Sequence, residues 1–183
     1  METNISAPGR LETVRKFINT KDVESGSDRL TDPRGLAEWL VEVGLIEGSP
    51  EVSEGELRRA VEVREALRQL ASNHGTQLDA GSLGVLNEAV AAAGVHLSFT
   101  LDGAGIEPTT SGVLGGLGRL LSIVGAAMND GTWSRLKVCM NDECAWAFYD
   151  HARNRSGKWC DMSVCGNRMK ARAYRARRTG GAR

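Results

Sequence analysis

The chain has 183 residues, no net charge, 41% hydrophobic residues and few aromatic ones, a length that suffices for one ordinary domain and a small module. No apolar run approaches the roughly 18 residues that a membrane helix needs, and residues 1–8 lack the basic start and apolar stretch of a secretory signal. We therefore expect a cytoplasmic protein, in which four cysteines favour metal binding or catalysis over disulfides.

Charge is distributed unevenly along the chain. Residues 1–131 contain 11 Lys and Arg against 19 Asp and Glu, whereas residues 132–183 contain 12 against 4. All four cysteines lie in the basic segment. We therefore predict two domains, an acidic body at 1–131 and a basic module at 132–183 that faces nucleic acid. The alternative is that the two halves pair their charges internally.

Four helices are predicted before residue 95, because apolar side chains recur there at helical spacing. Asp32 and Pro33 supply an N-cap and a first-turn proline for the second helix. Ser53 and Glu56 fit a capping box at the start of the third. This part of the chain is therefore expected to be mainly helical. The four predicted ranges are 9–21, 33–43, 53–72 and 82–93.

The apolar pattern changes at residues 95–101, where apolar and polar side chains alternate. This alternation predicts a half-buried strand. Asp102 and Gly103 begin a turn, so the chain is expected to return as a hairpin through 106–109.

Residues 113–128 predict a buried helix that begins among glycines, which lower helix propensity and permit close packing. A phosphate-binding loop is rejected because no Lys-Ser or Lys-Thr pair follows them. Close backbone packing or a late helix start is the better interpretation. The glycines are Gly112, Gly115, Gly116 and Gly118.

Residues 1–131 carry no motif that indicates catalysis. They contain no nucleophile elbow, no paired-histidine metal helix and no dinucleotide fingerprint. His74 lies near a predicted helix end and His96 on the polar face of the predicted strand. Both are interpreted as surface residues.

The cysteines form two close pairs, Cys139 with Cys144 and Cys160 with Cys165. Two such pairs with a short insert are typical of a structural four-thiolate zinc site, and a module with few core residues needs a staple of this kind. Two disulfides would need an oxidising compartment, and a reactive cysteine would want a Cys-x-x-Cys motif or a histidine partner. The nearby His151 is interpreted as a surface residue or a neighbour of the ligands, not as a ligand.

The insert between the two pairs predicts a hairpin over the metal. Residues 145–150 alternate as a strand, 153–158 supply a turn, and Trp159 begins the return. Cys165 then lies at or near the start of a last helix that ends at about Arg178. Free amides at a helix start stabilise a thiolate, which makes this a suitable position for a ligand. The order of pair, hairpin and ligand-bearing helix predicts a treble-clef zinc finger.

Residues 160–170 read Cys-Asp-Met-Ser-Val-Cys-Gly-Asn-Arg-Met-Lys and follow an Arg-Asn-Arg-Ser stretch at 153–156. This pattern resembles the CGNR zinc finger family, and the likeness extends over about 136–178. Upstream, the segments 17–20, 36–40 and 64–68 resemble the ABATE domain that accompanies this finger. The resemblance implies a four-cysteine zinc site, DNA binding and a role as a stress-induced transcription regulator.

We therefore predict an α+β protein. A mainly helical, ABATE-like N-terminal domain with a β-hairpin, at 1–131, is followed by a small treble-clef-like zinc finger at 132–183. One structural zinc ion is expected to be held by Cys139, Cys144, Cys160 and Cys165.

Basic residues crowd the last helix and the turn before it, and these are the predicted nucleic-acid contacts. Met169 and Ala173 are expected to face the finger while the arginines face outward. Alternatively, Arg153, Asn154 and Arg168 bond carbonyls or Asp150 across the finger, with Gly166 and Asn167 serving a tight turn. The predicted contacts are Arg153, Arg155, Lys158, Arg168, Lys170, Arg172, Arg175, Arg177 and Arg178.

The leading hypothesis is a DNA-binding transcriptional regulator, at the nucleoid, whose N-terminal domain senses a small-molecule effector, forms a homodimer or binds a partner. An RNA-binding or ribosome-associated protein and a protein-interaction module are the alternatives. Few exposed aromatic residues beyond Tyr149 and Tyr174 argue against single-strand stacking. An enzyme is not expected, because four thiolates leave a zinc ion no open position for water.

Overall fold

The computed structural model describes residues 5–72, 80–101 and 103–180. Within these residues it has six α-helices and two small antiparallel sheets, which confirms the α+β class. His74 and Asp102, which the sequence places near a helix end and in a turn, lie outside the described residues. The elements are α1 Leu11–Ile18, α2 Pro33–Glu42, α3 Glu54–Ser72, α4 Ala80–Ala93, β1 His96–Thr100, β2 Gly103–Glu107, α5 Gly112–Asn129, β3 Leu136–Val138, β4 Ala147–Tyr149 and α6 Asn167–Gly180.

The predicted caps set the starts of α2 and α3. The Asp32 carboxylate accepts a hydrogen bond of 2.8 Å from the Gly35 amide, and Pro33 occupies the first turn of α2. At α3, the Ser53 amide donates to Glu56 Oε2 at 2.9 Å and the Glu56 amide donates to Ser53 Oγ at 3.2 Å. Each contact satisfies a backbone amide that has no partner inside its helix. Both cap predictions are confirmed.

Helix α5 is the centre of the body and packs against α1, α2, α3 and α4. Its length and composition would suffice to cross a membrane, so the expectation that no segment approaches this size is wrong. However, Leu117 and Leu120 are buried inside the fold together with Phe17 and Trp39, whose rings lie 5.1 Å apart. Its apolar character is therefore that of a core helix.

The glycines of α5 divide between the two predicted roles. A β-carbon on Gly118 would lie 2.7 Å from the Ala93 β-carbon and 2.9 Å from that of Pro108, so only glycine fits this crossing without a shift. Gly116 is tight against Ile46 and Leu40, by the same measure. Gly112 has open space around it and a φ of +59°, which suits the turn that begins the helix.

The predicted β1–β2 hairpin is present, but its return strand Gly103–Glu107 begins earlier than the predicted 106–109, and its burial was predicted wrongly. The strands pair in register from His96 opposite Glu107 to Thr100 opposite Gly103, and the return begins at Gly103. Leu97 and Phe99 are exposed instead of half-buried. The alternation of apolar and polar residues correctly predicted the strand. It did not predict what covers the apolar face, because a two-residue repeat defines the faces of a strand but not the residues that pack on them.

The second sheet forms differently from the prediction. Strand β4 pairs with β3, which precedes the first cysteine, and not with the segment at Trp159. The register is Leu136 opposite Tyr149 and Val138 opposite Ala147. The segment at 158–159 instead approaches the first turn, where the Met140 amide donates to the Lys158 carbonyl at 2.9 Å. The hairpin therefore carries the first cysteine pair in its own turn.

Candidate metal centre and basic helix

The four cysteine sulfurs meet at one point, with all Sγ atoms within 4.8 Å of one another. Cys144 Sγ lies 3.6 Å from Cys160 Sγ, which lies 3.8 Å from Cys165 Sγ. Four sulfurs bound to one tetrahedral zinc ion at about 2.3 Å are about 3.8 Å apart. The cysteines are not joined by disulfides, and Cys139, Cys144 and Cys165 are buried. The donor set and spacing fit one structural zinc ion.

The first ligand pair is held by the turn between β3 and β4. The Cys139 amide donates to the Trp146 carbonyl at 2.9 Å and continues the ladder past the end of the strands. The Cys144 amide donates to the Asn141 carbonyl at 2.8 Å, which closes the turn. These backbone bonds direct both sulfurs into the same space.

The second ligand pair spans a wide turn, Met162–Gly166, that leads into α6. The Asp161 carboxylate caps this turn by accepting from the amides of Ser163 at 2.7 Å and Val164 at 3.1 Å. A β-carbon on Gly166 would lie 2.5 Å from Met162 Sδ and 3.2 Å from the Trp159 ring, so this glycine permits the close approach. Cys165 therefore lies just before the first turn of α6, near the predicted position.

The electrostatics of the cluster favour a bound cation. Hydrogen bonds from Cys144 and Cys160 lower the pKa of Cys139 to about 2. The reciprocal interaction with Cys139 raises the pKa of Cys144 to about 12, and the pKa of Cys160 is raised by Cys139 and Cys144. Four sulfurs at this spacing cannot all be thiolates without positive charge between them. A divalent ion supplies that charge and keeps the thiols deprotonated.

Asn141 is a part of the centre that the sequence interpretation missed. Its side chain is fully buried and its Nδ2 donates to Cys165 Sγ at 3.8 Å. Its Oδ1 lies 3.5 Å from Arg172 Nη1 on α6. Donors to a coordinating sulfur orient the ligand and moderate its charge. The signal in the sequence was a polar residue inside the gap of the first pair, which is weak alone.

Asp150 organises the loop between the ligand pairs. It accepts from Lys137 Nζ at 2.7 Å and from the amides of Gly157 at 2.7 Å and Ala152 at 3.0 Å. Burial by itself raises the pKa of Asp150, but these hydrogen bonds outweigh it and hold the pKa below its ordinary value. The alternative that Arg153, Asn154 or Arg168 bonds Asp150 is not what the structure shows, since the carboxylate accepts from Lys137, Ala152 and Gly157. Lys137 is the partner.

The nine predicted nucleic-acid contacts are all exposed. Two of them form ion pairs with acidic residues: Arg168 Nη1 lies 2.5 Å from Glu24 Oε1, and Arg172 pairs with Glu143. Met169 is half-buried as expected, but Ala173 is exposed, because α6 leaves the finger after its first turns. No contact with nucleic acid is tested by this geometry, and the nine residues stay a prediction.

Two aromatic and histidine assignments can be compared with the structure. Tyr149 is buried in the body, so its expected exposure was wrong. Its ring packs edge-on at 5.0 Å against His151. The His151 Nε2 atom lies 2.9 Å from the Ser6 carbonyl, and the residue is exposed. His151 is thus a surface residue outside the four-sulfur set, and His96 is likewise exposed.

Polar side chains of the body grip the first turn of the finger. Arg68, buried in α3, donates to the carbonyls of Ile18 at 2.7 Å and Ala145 at 2.8 Å. Asn19 bonds both backbone groups of Ala147, each at 2.8 Å. Since Ala145 follows Cys144 directly, this clamp fixes the orientation of the metal centre on the body.

Comparison with protein families gives two matches. Residues 12–128 match the ABATE family, described as "Putative stress-induced transcription regulator", and residues 135–178 match the CGNR zinc finger. A search of curated proteins finds no match. Both matched families are of regulator or zinc finger type. Together with the clustered sulfurs, they assign one structural zinc ion to the four cysteines.

Proposed function

The chain belongs to the ABATE family and carries a CGNR zinc finger, and we propose that it is a transcription regulator that binds double-stranded DNA through this finger. The observation that carries the proposal is helix α6. It begins two residues after the last zinc ligand, carries six basic side chains and is exposed over residues 170–178. Zinc has a structural role here, because it anchors the start of this helix.

The basic surface has two parts that meet near the metal. The first is α6, where Arg168, Arg172 and Arg175 recur three and four residues apart on one face. The second is the exposed loop 153–158. The two parts are adjacent because the ring of Trp159, which follows the loop, lies 3.2 Å from the place of a β-carbon on Gly166, just before α6. Such a surface neutralises phosphates and places arginines near base edges.

Acidic residues of the chain already partner part of this surface. Arg168 pairs with Glu24 of the body, and Arg172 pairs with Glu143 between the first two ligands. Both pairs are exposed to solvent, so each contributes little to stability and exchanges readily. Phosphates would replace these carboxylates. The two arginine side chains are therefore already extended, and the carboxylates compete only weakly with phosphates for them.

DNA binding should be measured by fluorescence anisotropy on a labelled duplex of mixed sequence. We expect affinity that falls steeply with salt, because each phosphate contact contributes a slope of about −0.9 in log K against log salt. Replacement of Arg172, Arg175 and Arg177 by alanine should weaken binding and reduce the slope by roughly 2–3. The matched control replaces three exposed arginines of the body, Arg34, Arg58 and Arg59, and should leave binding unchanged.

The same titration separates the remaining functions. Preference for single-stranded RNA over the duplex would favour the RNA-binding alternative, although the burial of Tyr149 removes one stacking platform. No binding to either polymer would overturn the proposal and leave a protein-interaction module. If the duplex is bound, crosslinking and immunoprecipitation across the genome would identify the target sites. We propose the cytoplasm, at the nucleoid, as the location that this function requires.

The body is proposed to be the regulatory part of the molecule. An effector or a partner bound there would reach the finger through the clamp of Arg68 and Asn19, since these side chains contact Ala145 and Ala147 beside the first ligand pair. No effector is assigned. A thermal-shift screen of small metabolites against the wild-type protein would identify an effector of the body. The Arg68→Met variant is the control for coupling through the clamp.

A further inference from the structure

The β1–β2 hairpin presents an uncovered apolar face. Along β1 and just beyond it, Leu97 is 57% exposed, Phe99 79% and Leu101 107%. Ile106 on β2 is 43% exposed. Single exposed apolar residues are ordinary, but four that adjoin one another form a patch that marks an interaction site.

The pairing register puts Leu97, Phe99 and Ile106 on one side of the sheet, and Leu101 follows directly after the end of β1. Leu97 lies opposite Ile106, and Phe99 lies opposite Ala104. Directly opposed residues project to the same face, and alternate residues along a strand project to opposite faces. His96, Ser98 and Thr100 therefore occupy the other face, which is polar. The hairpin is amphipathic, and its apolar side is the one without cover.

A groove of about 650 Å³ continues this face toward α5. It is lined by Ala104 and Ile106 of β2 and by Ile123 and Ala126 of α5. The projecting side chains of Phe99 and Leu101 and the receiving groove thus lie side by side. The rim carries one cation, Arg10, and one anion, Asp130.

The stretches of this sequence outside the described residues do not match the patch. The longest is 73–79, which reads Asn-His-Gly-Thr-Gln-Leu-Asp and has a single apolar side chain of any size. The others have four residues or fewer. A two-stranded hairpin is marginal by itself in water and needs an apolar partner. None of these stretches supplies the apolar side chains that would cover the patch, so we consider a second molecule as the cover.

We propose that the apolar face of the hairpin is a dimer interface with a second copy of this chain. The projecting side chains and the groove lie on the same face. Each copy can therefore place its side chains in the groove of the other, as a two-fold interface requires. A standard interface takes roughly 800 Å² from each partner, and the four exposed apolar residues together with the groove provide its apolar centre. The described residues of this face, Leu97, Phe99, Leu101, Ala104 and Ile106, carry no charge, and the rim of Arg10 and Asp130 has one charge of each sign, so these residues do not repel between two copies. The inference is independent of DNA binding.

The test uses the full chain with zinc bound, in sedimentation velocity and light scattering from about 1 to about 100 μM. We expect a species of twice 19.7 kDa that dissociates on dilution. The Phe99→Glu variant should raise the dimer dissociation constant by on the order of 100-fold, because two carboxylates would be buried in one apolar contact. The adjacent Thr100→Glu variant adds the same charge to the opposite face and should leave the dimer intact.

Circular dichroism and zinc content verify that both variants fold. Phe99 is exposed, so its replacement removes little from the folded monomer. A wild-type protein that stays monomeric at the highest concentration would overturn the proposal. So would a dimer that Phe99→Glu leaves unchanged. A monomer that binds neutral lipid vesicles through Phe99 would assign the face to lipid, and would overturn it as well.

Discussion

The body and the finger are held together by different forces. The body buries a continuous apolar cluster that runs through α1 to α5. Around the metal, the second cluster consists of Cys139, Cys144 and Cys165, with Trp146 and Trp159 packed against them. Apolar burial gives a stability that many contacts share, whereas a metal site concentrates it in four bonds. Core substitutions in the body should therefore lower its stability by graded amounts, whereas loss of one zinc ligand should unfold the chain around the metal completely.

Part of the basic segment packs into the body. Leu136, Ala147 and Tyr149 of the β3–β4 hairpin are buried in the core of the body. The metal instead holds the turn at 139–144 and the chain from about 158 onward. The finger thus has one part that folds with the body and one part that depends on zinc. Four predictions test this comparison, beginning with the largest effect.

Loss of one ligand should unfold only the zinc-dependent part. In the Cys165→Ser variant we expect zinc content near zero, because a structural zinc site contributes roughly 10–16 kcal/mol and tolerates no missing thiolate. Amide NMR signals of 158–180 should collapse toward random-coil positions, while those of Leu117 and Tyr149 persist. Elemental analysis and the NMR spectrum check this. Collapse of the whole spectrum would show that the body needs zinc too, and the comparison would fail.

Removal of the clamp should affect both regions at once. Arg68→Met deletes the bonds to Ile18 and Ala145 and leaves two carbonyls without their partner. We expect a loss of about 3 kcal/mol in the free energy of unfolding and faster zinc release to a competing chelator. The control is Arg59→Met on the exposed side of α3, which should stay within about 0.5 kcal/mol. If Arg68→Met releases zinc at the wild-type rate, the clamp does not contribute to the stability of the metal centre.

The sequence predicted what local rules determine. The caps at Asp32 and Ser53, the core helix α5 and the convergence of four cysteines each follow from spacing and residue type, and each is present. The family resemblance to ABATE and the CGNR finger is also confirmed. These features need no knowledge of distant neighbours.

What the sequence did not predict depends on neighbours far along the chain. Strand β4 was assigned the wrong partner because its period names a strand but not the strand beside it. Arg68 and Asn19 read as ordinary helix residues, yet they bond a segment more than seventy residues away. Asn141 was missed for the same reason, since its partners Cys165 and Arg172 come later in sequence.

The body's own buried ion pair should respond to pH. Arg64, buried in α3, donates to Asp28 through Nη1 at 2.6 Å and Nη2 at 2.9 Å. Burial by itself raises the pKa of Asp28, but the hydrogen bonds from Arg64 and Leu30 outweigh it and hold the pKa below its ordinary value of 3.8. The stabilisation is therefore fully present above about pH 4 and is lost as pH falls through the lowered value.

The Asp28→Asn variant should accordingly be less stable than wild type by about 2–3 kcal/mol at pH 7. The difference should begin to shrink below about pH 4, where the unfolded chain takes up a proton, and it should vanish only as pH falls through the lowered pKa of Asp28. Urea unfolding of both proteins across pH 3–7 measures this, and any loss of zinc at low pH affects both alike. Glu47→Gln, on an exposed carboxylate of the body, is the control and should change little. A difference as large at pH 3 as at pH 7 would assign the effect to shape instead of charge.

The smallest effects should come from two glycines of one helix, and they should have opposite signs. Gly118→Ala would force its new methyl group to within 2.7 Å of Ala93 and 2.9 Å of Pro108. The backbone must then shift, and we expect a loss of about 2 kcal/mol. Gly125→Ala, two turns later, meets nothing within 4 Å and should gain about 0.5–1 kcal/mol from lower unfolded-state entropy. Urea midpoints measure both, and zinc content should not change in either. Equal effects of the two substitutions would mean that α5 packs loosely, and the expectation of graded stability losses in the body would be wrong.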